Sequence, residues 1–197
     1  IIGSGMYTRG IERLFSLRLE TALQDSMLVS QSYYDRLQGQ ALAFAQQISR
    51  QIADERMVSR FDSPVLKEYF AKKAAEYGVG AVELFGPDRT LSVRAVTGQF
   101  PARTYVTTPQ DAVAQAVAPK DITLVSELGK NGEIIRAVVP LFSPEEARTV
   151  TGAVAVSYYV PSSLAHKIDE IEAGYSEYRA SFKNKDLIKV SYRIGIH

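Results

Sequence analysis

Apolar or small residues recur in the first quarter of the chain at Phe15, Leu19, Leu23, Met27, Ser30, Tyr34, Leu37, Ala41, Phe44, Ile48 and Ile52. Steps of three and four residues place such positions on one face of an α-helix. Arg13, Glu20, Gln24, Asp35, Gln46 and Arg50 fall on the opposite side, as a solvated face requires. Residues 7–57 contain no proline and only two glycines, Gly10 and Gly39, so the pattern predicts one very long helix. A helix of about 45 to 50 residues is roughly 70 Å long, whereas a compact chain of this size is about 40 Å across. The rod therefore either breaks, most easily near Gly39, or projects from its own globule and pairs with something. Ser26, Ser30 and Gln31 on or near the stripe argue against a strict heptad coiled coil.

After residue 57 the punctuation changes. Ser63 is read as an N-cap with Pro64 at the first helical position of a second helix that ends at Gly78. Residues 81–85 and 91–97 read as strands around the turn GPDRT, and residues 108–118 as a short helix with Thr108 or Asp111 near its start. The segment DITLVSELGKNGEIIRAVVPLF predicts a hairpin through Lys130, Asn131 and Gly132, the Asn-Gly pair supplying the positive φ angles of a tight turn. Residues 152–160 form a further strand, and Pro161, Ser162 and Ser163 open a last helix that reaches about Tyr192 with Ile168, Ile171, Tyr175, Tyr178 and Phe182 on one side. Strands framed by helices predict an α+β layer, with the long helix across one sheet face and the other face free for a ligand.

Composition narrows the functional classes. Lys plus Arg number 23 against 22 Asp plus Glu, which provides no field for nucleic acid. Cysteine is absent, so there are no disulfides or thiolate metal sites. The longest uncharged run, 149–165, is shorter than the roughly 20 apolar residues of a membrane helix, and no signal peptide is visible. The apolar ends, II and VSYRIGIH, read as a chain cut at apolar borders. His166 is the only internal histidine and has none of the kinase motifs that would make it a phosphoacceptor. GVGAVELFG is turn punctuation, because a strand follows where a dinucleotide fingerprint needs a helix. No grouping of base and hydroxyl, paired carboxylates or metal-ligand spacing points to catalysis, a metal or a cofactor. The charged residues Glu83, Arg94 and Arg136 each interrupt an apolar or alternating strand. They either pair with one another or lie on a wet face, or they line a pocket for an anionic ligand. Phe85, Tyr105, Ser157 and Tyr159 lie near the same sheet, and alternation sets Tyr158 on the opposite face from Ser157 and Tyr159.

RGIERLFSLRLETALQDS near the start and EAGYSEYRASFKNKDLIKVSY near the end resemble the flanks of the extracytoplasmic segment of NtrY-type nitrogen-regulation sensor histidine kinases. The middle resembles the Cache, or extracellular PAS-like, sensor fold, in which a long N-terminal helix crosses a five-stranded antiparallel sheet whose other face forms a small-molecule pocket. The resemblance implies one extracytoplasmic domain over 1–197, anchored at the inner membrane: a long helix at 1–62, the PAS-like region at 63–165, and a C-terminal helix at 166–197 returning to the membrane. It implies a non-enzymatic fragment that relays ligand binding to a cytoplasmic kinase, with a chemotaxis receptor or a ligand-free dimerisation module as alternatives. A homodimer through the long helix is the implied partner, and Glu83, Phe85, Arg94, Tyr105, Arg136, Ser157 and Tyr159 are the implied ligand-binding residues. Amino-acid-sensing Cache domains hold the ligand amine with an aspartate near the end of the last strand. Ser157 stands there, which turns the expectation toward a carboxylate or other anion held by Arg94 or Arg136.

Overall fold

The computed structural model describes residues 2–182, with side chains from residue 17 to residue 181. Helix α1 runs unbroken over Ile2–Asp54, about 80 Å at ~1.5 Å per residue. Gly39 does not interrupt it. A short turn of helix, α2 (Met57–Arg60), follows, then α3 (Ser63–Tyr77), β1 (Ala81–Phe85), β2 (Leu91–Val96), α4 (Gln110–Val117), β3 (Ile122–Glu127), β4 (Glu133–Phe142), β5 (Val150–Val160) and α5 (Ser162–Phe182). Residues 183–192 of the expected last helix lie outside the described residues.

The described chain forms two compact units, one of residues 2–34 with 163–182 and one of residues 35–162. In the first, α1 and α5 pack together. Met27, Ala165 and Ile168 are buried, and a Cβ on Gly174 would meet Leu23 Cδ2 at 4.0 Å. The stripe has turned slightly from the expected one, since Leu19 is exposed and Glu20 is buried. Burial raises the Glu20 carboxyl above its ordinary range, and the nearby Arg179 pulls it back.

In the second unit, all strand pairings are antiparallel and the sheet order is β2-β1-β5-β4-β3. Register sorts its side chains. Val82, Leu84, Val93, Ala95, Ile135, Ala137, Val139, Val154, Val156 and Tyr158 share one face. That face lies against α1 and α3, for Tyr158 Oη donates to Gln40 Oε1 at 3.4 Å and α3 contacts β1 and β2. The two helices lock to each other through the stacked rings of Phe44 and Tyr77, 4.3 Å apart, and the bond from Tyr69 Oη to Gln51 Oε1. On the opposite face, α4 lays Ala112, Val113 and Ala116 on Phe85, Val138, Ala153 and Ala155. This face is therefore not free, as the sequence had suggested, but covered by α4 and by residues 97–109.

Two local expectations change. Asp62, not Ser63, caps α3 by accepting from Val65 N at 3.2 Å, while Gly78 ends the helix at φ 68° as expected. The β3–β4 connection is a turn of 3₁₀ helix over Gly129–Asn131, in which Gly129 and Gly132, not Asn131, take positive φ. Gly132, at φ 110°, leaves no room for a side chain, because a Cβ there would lie 2.2 Å from Val160 O. We expect Gly132→Ala to destabilise the chain by about 2 kcal/mol or more. Gly39→Ala, at an exposed helical site with nothing within 4 Å, should instead stabilise it by about 0.5 to 1 kcal/mol in urea unfolding.

Candidate functional site

The covered face carries a row of charge. Glu83 on β1 is the cross-strand partner of Arg94 on β2 and of Ala155 on β5. Arg136 on β4 is opposite Ser157 on β5, one pleat along. Antiparallel pairing thus sets Glu83 diagonal to Arg136 with only the small side chains of β5 between them. Glu83 is 0% exposed and Arg136 0% exposed, and both charges are held away from water.

Residues 97–109, between β2 and α4, supply the partners. Glu83 Oε1 accepts three hydrogen bonds, from Tyr105 Oη at 2.5 Å, from Thr108 Oγ1 at 2.6 Å and from Thr108 N at 3.2 Å. Arg94 Nη1 donates to Thr107 Oγ1 at 2.8 Å, and Arg136 Nη2 donates to the Val106 carbonyl. Both guanidinium carbons lie 5.4 Å from the centre of the Tyr105 ring. Phe100 packs against Tyr105 and Tyr159 at centroid distances of 5.0 and 5.2 Å, over Ala81 and Ile134. A strap without regular secondary structure is therefore fastened to the sheet by one carboxylate and two guanidinium groups.

The fastening is incomplete. Arg94 Nη1 is 3.9 Å from Glu83 Oε2 and Arg136 Nη1 is 4.0 Å from Glu83 Oε1, distances of ion pairs and not of hydrogen bonds. Glu83 Oε2, Arg136 Nε and Nη1, and Ser157 Oγ are buried with no hydrogen-bond partner of good geometry, although Ser157 is close enough to act on the Tyr105 phenol. Two positive charges face one negative charge, so the cluster carries an excess of positive charge and of unused donors. Burial, then the Glu83 charge, pushes the Tyr105 phenol well above its usual value, so it stays a donor. Burial pulls the Arg136 guanidinium below its ordinary value, opposed by Tyr105 and Glu83.

The structure brings Glu83, Arg94, Tyr105, Arg136 and Ser157 together. Tyr159 joins the aromatic cover, with its hydroxyl donating to Asn131 O at 2.6 Å. Phe85 shares the face but sits in the α4 core, away from the charges. Thr107 and Thr108 were missed as site residues because Thr108 was read only as a helix cap. The cap position belongs to Pro109, and the Thr108 hydroxyl, not used as a cap, donates to Glu83. A separate open cleft of about 430 Å³ lies between α4 and the β3 edge, lined by Asp111, Gln115, Lys120, Asp121 and Leu124 among others, and by none of the charged cluster. Among the described residues there is no group of side chains that could hold a metal ion and no helix long and apolar enough to cross a membrane.

No protein-family model and no curated protein matches this sequence. Solved structures do match. The ligand-binding domain of the Campylobacter jejuni chemoreceptor Tlp3, in complex with L-norvaline, aligns over 80% of this chain and 63% of its own length at 11% identity, with a TM-score of 0.55. The same domain in complex with 4-methylisoleucine aligns over 90% and 75%, also at 11% identity, with a TM-score of 0.50. The sensor domain of the V. cholerae histidine kinase DctB aligns over 79% and 60% at 10% identity, with a TM-score of 0.45. The fold is that of Cache-type sensor domains. This chain spans about 63% of the length of the first of these relatives.

The buried phenols of this Cache fold set an alkaline limit. Burial raises the Tyr158 hydroxyl to about 12, above its ordinary 10. Between those values an unfolded chain has lost the proton that the folded chain keeps, so stability is complete below about pH 10 and falls as pH rises toward 12. Equilibrium unfolding should show that decline, and Tyr158→Phe should make it shallower.

Proposed function

We propose that this chain is the extracytoplasmic ligand-sensing domain of a membrane receptor, and that its ligand is a small carboxylate or other anion held by Arg94 and Arg136. One observation carries the reading: a fully buried guanidinium on a Cache-type sheet has two donors without acceptors, beneath a strap that is not part of the sheet. An anion would supply those acceptors and neutralise the surplus charge. Tyr105 and Ser157 would add hydroxyl contacts, Glu83 would orient both arginines, and Tyr159 and Phe85 would bound the site.

The Tlp3 domain was solved with amino-acid ligands, and Ser157 in place of an amine-binding aspartate favours a ligand recognised by its acid group. α1 contributes residues to both compact units, so a change of packing on the sheet can be passed along that helix to the segment paired with α5. The flanking sequences support an NtrY-type sensor histidine kinase at the inner membrane as the output, and the Tlp3 likeness keeps a chemotaxis receptor as the alternative. Exposed Leu17, Leu28 and Val29 on α1 suit a homodimer through that helix. A second reading, an interaction module that binds no ligand, draws on the mutual pairing of Glu83 with both arginines.

A thermal-shift panel of acetate, succinate, amino acids and γ-aminobutyrate separates the two. A ligand at 100 times its Kd should stabilise the domain by about 2.7 kcal/mol, or roughly 5 to 10 °C. The shift should vanish in Arg94→Ala, whose half-exposed side chain can be removed without opening the core. A flat panel would favour the interaction module.

A further inference from the structure

We propose that Glu83 is a resident carboxylate that latches the 97–109 strap shut, so that an incoming anion gains the site only by taking the guanidinium groups away from it. The proposal deepens the ligand-sensing reading and rests on it for the identity of the competitor, but not for the latch.

The strap has two polar attachments: Thr97 and Gln99 at its start bond to the Val79, Gly80 and Gly78 carbonyls, and residues 105–108 converge on Glu83 and its neighbours. Three of its donors, from Tyr105 and both polar groups of Thr108, end on a single oxygen, Glu83 Oε1. Its acceptors, Thr107 Oγ1 and Val106 O, are reached only by Arg94 and Arg136, the two cations that flank that carboxylate. Each of these contacts at 105–108 therefore depends on where the Glu83 charge holds its neighbours. The same carboxylate lies 3.9 and 4.0 Å from the two guanidinium groups, so it occupies the field an acidic ligand would use without closing hydrogen bonds to either. Its own Oε2 has no donor. A loosely paired internal acid of this kind holds the cations in place and yields to an acid that can reach them more closely.

The backbone of the strap is suited to opening. It has no helix or strand between Val96 and Gln110, and its tip carries the exposed Arg103 in a left-handed conformation at φ 62°. Phe100 is seated where a Cβ on Gly80 would come within 2.4 Å, so its ring occupies space that only glycine leaves. Release of the charge cluster would free residues 104–108 while that ring, its two aromatic neighbours and the Thr97 and Gln99 bonds keep the start of the strap in place.

Limited trypsin digestion, followed by intact mass, reads the open population through cleavage after Arg103. Glu83→Gln should be cut there about ten times faster than the parent protein, and Tyr105→Phe, which removes one donor and no charge, by a smaller factor. Calorimetric titration with succinate should show at least about tenfold tighter binding to Glu83→Gln, because the internal competitor is gone. Unchanged cleavage in both variants overturns the latch, and so does succinate binding that is no tighter in Glu83→Gln than in the parent. If Glu83→Gln does not fold, Tyr105→Phe alone decides through its cleavage rate. Faster cleavage with no succinate binding to any form supports the latch and leaves the carboxylate reading, not the latch, as the part that failed.

Discussion

A carboxylate with no exposure to water cannot stand alone, and in this chain Glu83 determines what surrounds it. Isolated in the interior, its charge would be penalised by several kcal/mol. The sheet answers with one arginine from each side, Arg94 as direct cross-strand partner and Arg136 across the narrow β5. Alanine and serine at Ala153, Ala155 and Ser157 keep β5 low enough for that reach. The strap then follows, because three donors on Glu83 Oε1 can come only from a segment lying directly over the strand.

The two sheet faces divide the work on this account. The face toward α1 and α3 is buried and aliphatic but for Tyr158, whose hydroxyl makes a polar tie to Gln40. The covered face is aliphatic under α4 and, under the strap, combines the charge cluster with the Phe100, Tyr105 and Tyr159 rings. Sites that must admit a ligand are drawn from the less stable parts of a fold. On the proposed reading, α1, which contributes residues to both units, would carry a change of packing on the sheet, provided two packings differ in affinity for the ligand.

Most of the fold was legible because burial repeats locally. The 3.6-residue stripe of α1, the alternation along β3 and the apolar runs of β1, β4 and β5 each reflect the face an element must hide. The strand charges Glu83, Arg94 and Arg136 could be picked out as interruptions of those runs. Their partners could not. Thr107, Thr108 and the Val106 carbonyl meet the charges across 13 to 30 residues of chain, and nothing in a loop of hydroxyls announces such contacts. The same limit explains Glu20, which is polar in pattern yet buried against α5. Asp62 and Asn131 are simpler misses, each one residue away from a correct turn or cap.

The most direct measurement is a double-mutant cycle in urea unfolding, with Glu83→Gln, Arg136→Met and the two combined. If the buried acid organises the covered face, each single variant leaves the other charge stranded, and the pair should couple by at least about 1.5 kcal/mol. Additive losses, with coupling near zero, would mean that the two groups are held by their backbone positions alone and would contradict the account.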